Sequence, residues 1–348
     1  MIRINHFSQA DSVAGQGVGA AYLELLRLLR THLVDDFYVT VNKYGKSDLT
    51  HYHTINPTYF ANSFSKARGR KIGYVHFLPD TLEGSIKLPA PAKKVFYNYV
   101  IDFYKRMDQI VVVNPIFIDK LTDYGLQRSK IRYIPNFVAK SEFYEQSQAK
   151  KNATRKELGI PLDKFVVFGD GQVQARKGVD DFAKLAEANP DVQFVWAGDF
   201  SFGKITDGYD HFKKLVDNPP KNLIFTGIID RPKLVDYLNM ADLFLLPSFD
   251  ELFPMSVLEA FSCGTPVLLR DLDLYRAIID GYYLAGKDFD GLNDQLHFAV
   301  SHPNILTHYQ DLSRRASQQY SEDHLAEIWK DFYTEQYQIG RELGQIYE

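Results

Sequence analysis

Residues 242–267 narrow the possible folds of this chain more than any other stretch. Asp242 precedes a short apolar run of strand length, Leu243-Leu246, and Pro247-Ser248 turns the chain out of it. Pro254 suits the first position of a helix, where a missing N–H costs nothing. Gly264 is a good helix stop, and Pro266 bars continuation before the next apolar run at Val267. The order predicted is strand, loop, helix, loop, strand: one βαβ unit of a parallel sheet, which places the chain in the α/β class. Glu251 then lies just before the helix, and Glu259 about one and a half turns inside it. The free N–H groups at the helix start, from Met255 and Ser256 onward, favour a bound anion. Carboxylates that grip hydroxyls beside an anion-binding helix end suit a ligand carrying both groups, such as a nucleotide sugar.

The spacing Glu251-x7-Glu259, followed by Ala260-Phe261-Ser262-Cys263-Gly264-Thr265-Pro266-Val267, resembles the signature of glycosyltransferase family 4, a group of retaining GT-B enzymes. The resemblance implies two Rossmann-like domains facing across a cleft. It also implies that Glu251 holds hydroxyls of the donor sugar and Glu259 the ribose. Phe253 and Met255 fall where family members offer backbone N–H groups to the sugar and phosphates. Many relatives have glycine where this chain has Pro254, so one possible donor is lost.

At 348 residues the chain accommodates two domains, each large enough for its own core. Apolar runs at 2–5, 37–41, 51–55, 72–77, 110–113 and 131–134 are expected as strands of a first Rossmann-like domain, residues 1–150. A glycine-rich turn with Gly15 and Gly17 separates the first strand from a leucine-rich helix over 20–33. Such glycines let backbone approach a ligand with the helix dipole behind it, and in family 4 the equivalent loop faces the donor phosphates. His76 falls at the C-terminal end of a strand, the edge where open α/β sheets bind ligands. Its setting, Tyr74-Val75-His76-Phe77-Leu78-Pro79-Asp80, resembles that of the family's active-site histidine, which lies against the donor sugar.

After Pro91 a helical pattern aligns Val95, Phe96, Tyr99, Val100 and Phe103 on one stripe, with Lys93, Lys94, Lys105 and Arg106 near its ends. Aromatic residues and basic ends on one amphipathic helix are features of interfacial membrane helices, and Lys66, Arg68, Arg70 and Lys71 add to the charge. A core-packed helix with solvated lysines gives the same pattern. Residues 1–150 carry a net +7 and the remainder −11, so one face of the molecule is suited to a polyanionic surface.

Residues 145–157, polar and lysine-rich, read as the linker. A second Rossmann-like domain, 151–320, is expected to bind the donor, with strands at 165–168, 192–197 and 223–225. Arg176 and Lys177, in Gly171-Gln172-Val173-Gln174-Ala175-Arg176-Lys177-Gly178, match the family's basic pair on the donor diphosphate. Relatives often carry a further arginine where this chain has Gln172. A terminal helix over 323–345 is expected to return to the first domain, as is common in GT-B proteins.

Several classes are disfavoured. Asp271-Leu272-Asp273 and Asp288-Phe289-Asp290 match the letters of a metal-holding DxD motif but lie downstream of the donor motif, so both read as surface loops. No histidine or cysteine spacing suggests zinc, and no cofactor is expected, because Arg176, Lys177 and the helix start stand in for a cation. The single cysteine, Cys263, precludes an intramolecular disulfide and fits a reducing compartment. No apolar run reaches the roughly 18–20 residues that span a bilayer. No nucleic-acid motif accompanies the basic half.

In its detail, including Ser12-Val13-Ala14-Gly15-Gln16-Gly17-Val18-Gly19, the chain resembles glycolipid synthases of Gram-positive bacteria that add a second hexose to monoglucosyldiacylglycerol. That resemblance implies a UDP-hexose donor, UDP-galactose or UDP-glucose, a membrane glycolipid acceptor and a cytoplasmic enzyme peripheral on the inner face of the membrane. A cytosolic transferase with a soluble acceptor would share the donor motifs, and a non-enzymatic nucleic-acid binder would use only the basic half.

Overall fold

Apolar runs alternating with amphipathic helices produce two parallel sheets in the computed structural model, which describes residues 1–10, 17–76, 78–79, 90–200, 203, 206 and 208–346. The first sheet has strands β1 (Ile2–Phe7), β2 (Phe37–Val41), β3 (Leu49–Tyr52), β4 (Arg70–Val75), β5 (Gln109–Val112) and β6 (Ile131–Tyr133), in the order 2-1-3-4-5-6. Its helices are α1 (Gly17–Thr31), α2 (Pro57–Asn62), α3 (Ala90–Lys105) and α4 (Ile116–Asp123).

After α5 (Gln148–Glu157), the second sheet is built from β7 (Val166–Asp170), β8 (Gln193–Ala197), β9 (Leu223–Phe225), β10 (Leu243–Leu246), β11 (Val267–Arg270) and β12 (Leu284–Gly286). Their order is 12-11-10-7-8-9, and every pair is parallel. Interleaved helices are α6 (Val179–Ala188), α7 (Tyr209–Asp217), α8 (Arg231–Met240), α9 (Met255–Ser262), α10 (Asp273–Ile279) and α11 (Phe289–Ser301). The chain ends with α12 (Pro303–Gln319) and α13 (Glu322–Glu342).

The βαβ unit expected over 242–267 is β10-α9-β11, with Leu245 beside Leu268 in parallel register. Gly264 closes α9 at φ +66, a conformation that costs a residue with a Cβ. Pro254 sits one residue earlier than expected: its extended ψ of 128 makes it the N-cap, and Met255 starts the helix.

Two other expectations change. The segment read as a linker is helical over Gln148–Glu157, because Ser147 caps it by accepting from the Lys150 N–H and most of its residues favour helix. Arg155 buries its guanidinium there, donating to the carbonyls of Met240 and Lys164 and pairing with Asp242 at 2.9 Å. β3 lies two residues upstream of the expected run, pairing Leu49 with Ile4 and releasing the chain at His53. β12 is short and carried no clear sequence signal.

One hydrophobic cluster runs from the first sheet (Ile4, Val111) and α1 (Leu28) through Phe137 and Phe143 into the second, and takes in Trp329 and Tyr333 of α13. A second cluster covers the other face of the first sheet, with Phe7, Tyr52, Val100, Phe103 and Met107. α13 lies on the first sheet, where the Tyr333 hydroxyl meets His51 Nδ1 at 2.8 Å and Arg70 donates to Gln336. Among the described residues, no helix is long and apolar enough to cross a membrane.

Candidate active site

The C-terminal edges of β7 and β10 bring the basic turn and the Glu251 loop together. A single 3-10 turn, Ala175–Lys177, follows β7 and ends at Gly178. Gly178 has φ +71, and a Cβ there would sit 2.2 Å from the Pro247 carbonyl oxygen, so only glycine lets the two loops touch. Glu251, 5% exposed, accepts from Ser248 Oγ at 2.8 Å and Lys177 Nζ at 2.5 Å, with Arg176 Nη1 at 3.4 Å. Burial alone would raise the Glu251 carboxyl, but Lys177 and Arg176 outweigh it and hold it below its usual range. The pair expected at the diphosphate therefore also clamps the carboxylate expected at the sugar.

Glu259, on α9, is buried, and its Oε1 lies 2.7 Å from Arg231 Nη1. Burial raises this carboxyl, and the opposing pull of Arg231 only partly offsets it. Met255 and Ser256 form the first turn of α9.

Two asparagines missed as site residues pin this loop to the first domain. Asn114, just beyond β5, donates through Nδ2 to the carbonyls of Leu252 at 3.1 Å and Leu274 at 2.9 Å. Asn136, beyond β6, donates to the Phe253 carbonyl at 3.1 Å and accepts from the Tyr74 hydroxyl at 3.3 Å. The available signal was their position: polar residues within a few positions of the ends of apolar parallel strands, on the ligand-binding edge. Asp170 was also missed. It ends β7, is buried with no partner for Oδ1, and is pushed up to about 7 by burial and then by Glu259.

His76 follows β4, is buried, and packs at a tilt against the Tyr74 ring with centroids 4.3 Å apart. Tyr74, Asn136 and Phe253 thus connect the histidine's neighbour to the Glu251 loop. Burial lowers His76 to about 3, so it is neutral at physiological pH. Behind it lie His53, His6 and His51, all buried. His6 Nδ1 and His53 Nε2 meet at 2.9 Å, while the rings of His51 and His53 pack at a tilt with centroids 4.2 Å apart. One ring nitrogen from each of His6, His51 and His53 lies within 4.8 Å of the other two, a spacing that could hold a metal ion and that the separation of these residues along the chain did not suggest. Gly17 begins α1, and Gly15 lies outside the described residues, as do Phe77, Asp80 and residues 84–89.

The reading of the α3 aromatic stripe as a membrane-facing surface is corrected. Phe103 is 1% exposed, and Phe96 and Tyr99 pack against the second cluster, with Tyr99 Oη donating to the Ile55 carbonyl. The aromatic stripe therefore faces the core, because it is the side that covers the first sheet. Arg68, Arg70 and Lys71 are buried as well, with Arg68 donating to the carbonyls of Lys43 and Tyr44. Lys66, Lys94 and Lys105 stay exposed, Lys93 and Arg106 are half-buried, and Val95 and Phe64 are exposed. Arg106 donates to the Ser63 carbonyl and lies over the Phe64 ring. Of the acidic pairs, Asp271 and Asp273 both pair with Arg276, and Asp288 caps α11.

Residues 15–142 match the family described as Glycosyltransferase Family 4, and residues 150–319 match Glycosyl transferases group 1. The chain is 48% identical to alpha-galactosylglucosyldiacylglycerol synthase of Streptococcus pneumoniae (strain ATCC BAA-255 / R6), over 98% of this chain and 91% of that protein. It is 28% identical to processive diacylglycerol alpha-glucosyltransferase of Acholeplasma laidlawii, over 77% and 79%. The crystal structure of Anabaena HepE in complex with UDP and glucose superposes with a TM-score of 0.77, at 15% identity, over 96% of this chain and all of that one, a likeness of fold.

Proposed function

The chain belongs to the family 4 glycosyltransferases, with a group 1 second half, and on that footing we propose that it transfers a hexose from a UDP-sugar to a diacylglycerol glycolipid. The observation that carries this reading is the 48% identity, across nearly the whole of both chains, to a synthase of galactosylglucosyldiacylglycerol. The acceptor would be monoglucosyldiacylglycerol and the product a diglycosyldiacylglycerol.

Glu259 would hold the ribose, Glu251 the sugar hydroxyls, and the start of α9 with Arg176 and Lys177 the diphosphate. Glu251 is already ionised and hydrogen-bonded, so it needs little reorganisation to accept from sugar hydroxyls. Arg176 and Lys177 would stabilise the charge that grows on the departing nucleotide. The acceptor hydroxyl would attack the face the diphosphate leaves, passing its proton to the phosphate oxygen, with retention at the anomeric carbon. His76, neutral and fixed against Tyr74, would lie against the donor sugar.

No metal enters this scheme, because two side-chain cations and a helix end occupy the role of one. Activity should survive thorough chelation with EDTA; loss restored by magnesium or manganese would return attention to the acidic pairs.

A lipid acceptor requires the first domain to reach the bilayer. We assign the contact to Lys66, Lys93, Lys94, Lys105 and Arg106, with Val95 and Phe64 as the exposed apolar residues in place of the buried aromatic stripe. Each basic residue near an anionic leaflet contributes about 1 kcal/mol. The enzyme would then be peripheral on the cytoplasmic face.

Incubation with labelled UDP-galactose and UDP-glucose against monoglucosyldiacylglycerol and soluble sugar acceptors tests the whole reading. Label is expected in the lipid fraction; transfer to soluble acceptors alone would favour a cytosolic transferase.

A further inference from the structure

We propose that Arg231 is a positioning residue of the donor site: it fixes the Glu259 carboxylate for the ribose and ties it to α1 of the first domain. The proposal rests on the reading of Glu259 as the ribose ligand. Arg231 begins α8, and its guanidinium meets three carboxylates from three parts of the chain. Nη1 lies 2.7 Å from Glu259 Oε1, Nη2 lies 2.7 Å from Glu24 Oε1, and Nε lies 3.3 Å from Glu142 Oε2. Glu24 and Glu259 are each 3% exposed, so both charges are nearly desolvated and depend on the cation between them. The ring of Phe143, 5.0 Å below, fixes the plane of the fork.

A lysine cannot reproduce this arrangement, because one ammonium does not bridge two carboxylates with planar geometry. The network continues into the first domain. Arg27 pairs with Glu24 at 3.2 Å and with Glu322, at the start of α13, at 2.9 Å. The carboxylate on α9 is thereby connected through charged pairs to α1 and to the terminal helix. Arg231 engages Oε1 of Glu259, which leaves the carboxylate oriented by one oxygen.

Charge argues the same way. Burial favours the protonated form of Glu259, which can accept fewer hydroxyl hydrogen bonds than the carboxylate, and Arg231 counters this. The other titratable groups around it are Glu142 and Asp170, with Cys263 at the C-cap of its own helix and Glu24 across Arg231. None of these groups is a cation, so Arg231 supplies the positive charge that favours the ionised form of the ribose ligand against burial.

Calorimetric binding of UDP and 2′-deoxy-UDP across about pH 5 to 8 tests this with the full chain. In the parent, UDP should bind more tightly than 2′-deoxy-UDP, and Glu259→Gln should lose that preference. Arg231→Gln should weaken UDP binding by about tenfold or more, and the acid limb of its affinity should move to higher pH. Arg231→Lys keeps the charge and loses the fork, so its acid limb should stay at the parent position while affinity falls. It carries the test alone if Arg231→Gln does not fold. Parental affinity and pH dependence in Arg231→Gln, a loss uniform across pH, or parental affinity in Arg231→Lys would each overturn the assignment. Unchanged preference in Glu259→Gln would instead overturn the ribose reading.

Discussion

Glu251 and Glu259 are both buried carboxylates of one loop-helix unit, yet their surroundings differ. Glu251 is held by two cations of its own domain, and Glu259 by one arginine shared with the first domain. Glu251→Ala should lower kcat on the order of a hundredfold, because the transferring sugar loses its orientation. Glu259→Ala should act mainly on the donor KM. Arg176→Ala should slow transfer with little change in acceptor KM, and steady-state kinetics with both substrates varied checks all three. The two glutamates and the basic pair were legible because their spacing fixes a recognisable loop and helix. Asn114, Asn136 and Arg231 were not, because each acts on a backbone or carboxylate more than 25 residues away, and nothing local marks the partner.

Among the elements, α3 shows most clearly where a sequence pattern stops short. An aromatic stripe with basic ends describes a membrane helix and a core helix equally well, since both need one apolar face. Only the neighbouring sheet decides which, and here Phe103 fills the second cluster. Phe103→Ala should therefore destabilise the protein by about 3–5 kcal/mol, read as a lowered melting transition, with no specific effect on vesicle binding. Replacing Lys94 and Lys105 with glutamate should do the opposite: vesicle sedimentation should fall, most steeply at low salt, while the melting transition and UDP binding stay near parental. Equal binding to neutral and anionic vesicles by the parent would contradict the basic contact. The same limit explains α5: a lysine-rich stretch reads as linker until Ser147 is seen to cap it and Arg155 is seen to be buried. By contrast, β10-α9-β11 was readable because Gly264 and Pro266 punctuate it in the way the fold requires.

For the whole molecule, the first domain carries a cost in acid. His6, His51, His53 and His76 are buried and neutral, each held below the usual 6.5 by burial, His6 and His76 at about 3. The unfolded chain binds protons on these imidazoles below about 6.5 while the folded chain does not, so stability falls as pH drops from there towards 3. Chemical denaturation at stepwise lower pH should show that decline, and His53→Asn should flatten part of it. The two Rossmann-like domains and their parallel pairing were expected from alternating runs, helix signals and the family resemblance, whereas the strand order and the way the domains lock together were not. That locking depends on Asn114, Asn136 and the Arg231 network, all of which bring the first domain to the donor loop. Product formation tests this assembly most directly. Given a UDP-hexose and monoglucosyldiacylglycerol in vesicles, mass spectrometry of the lipid fraction should show a diglycosyldiacylglycerol with the parent and none with Glu251→Ala/Glu259→Ala. Equal product from the double variant, or an unmodified glycolipid with the parent beside a glycosylated soluble acceptor, would contradict the account.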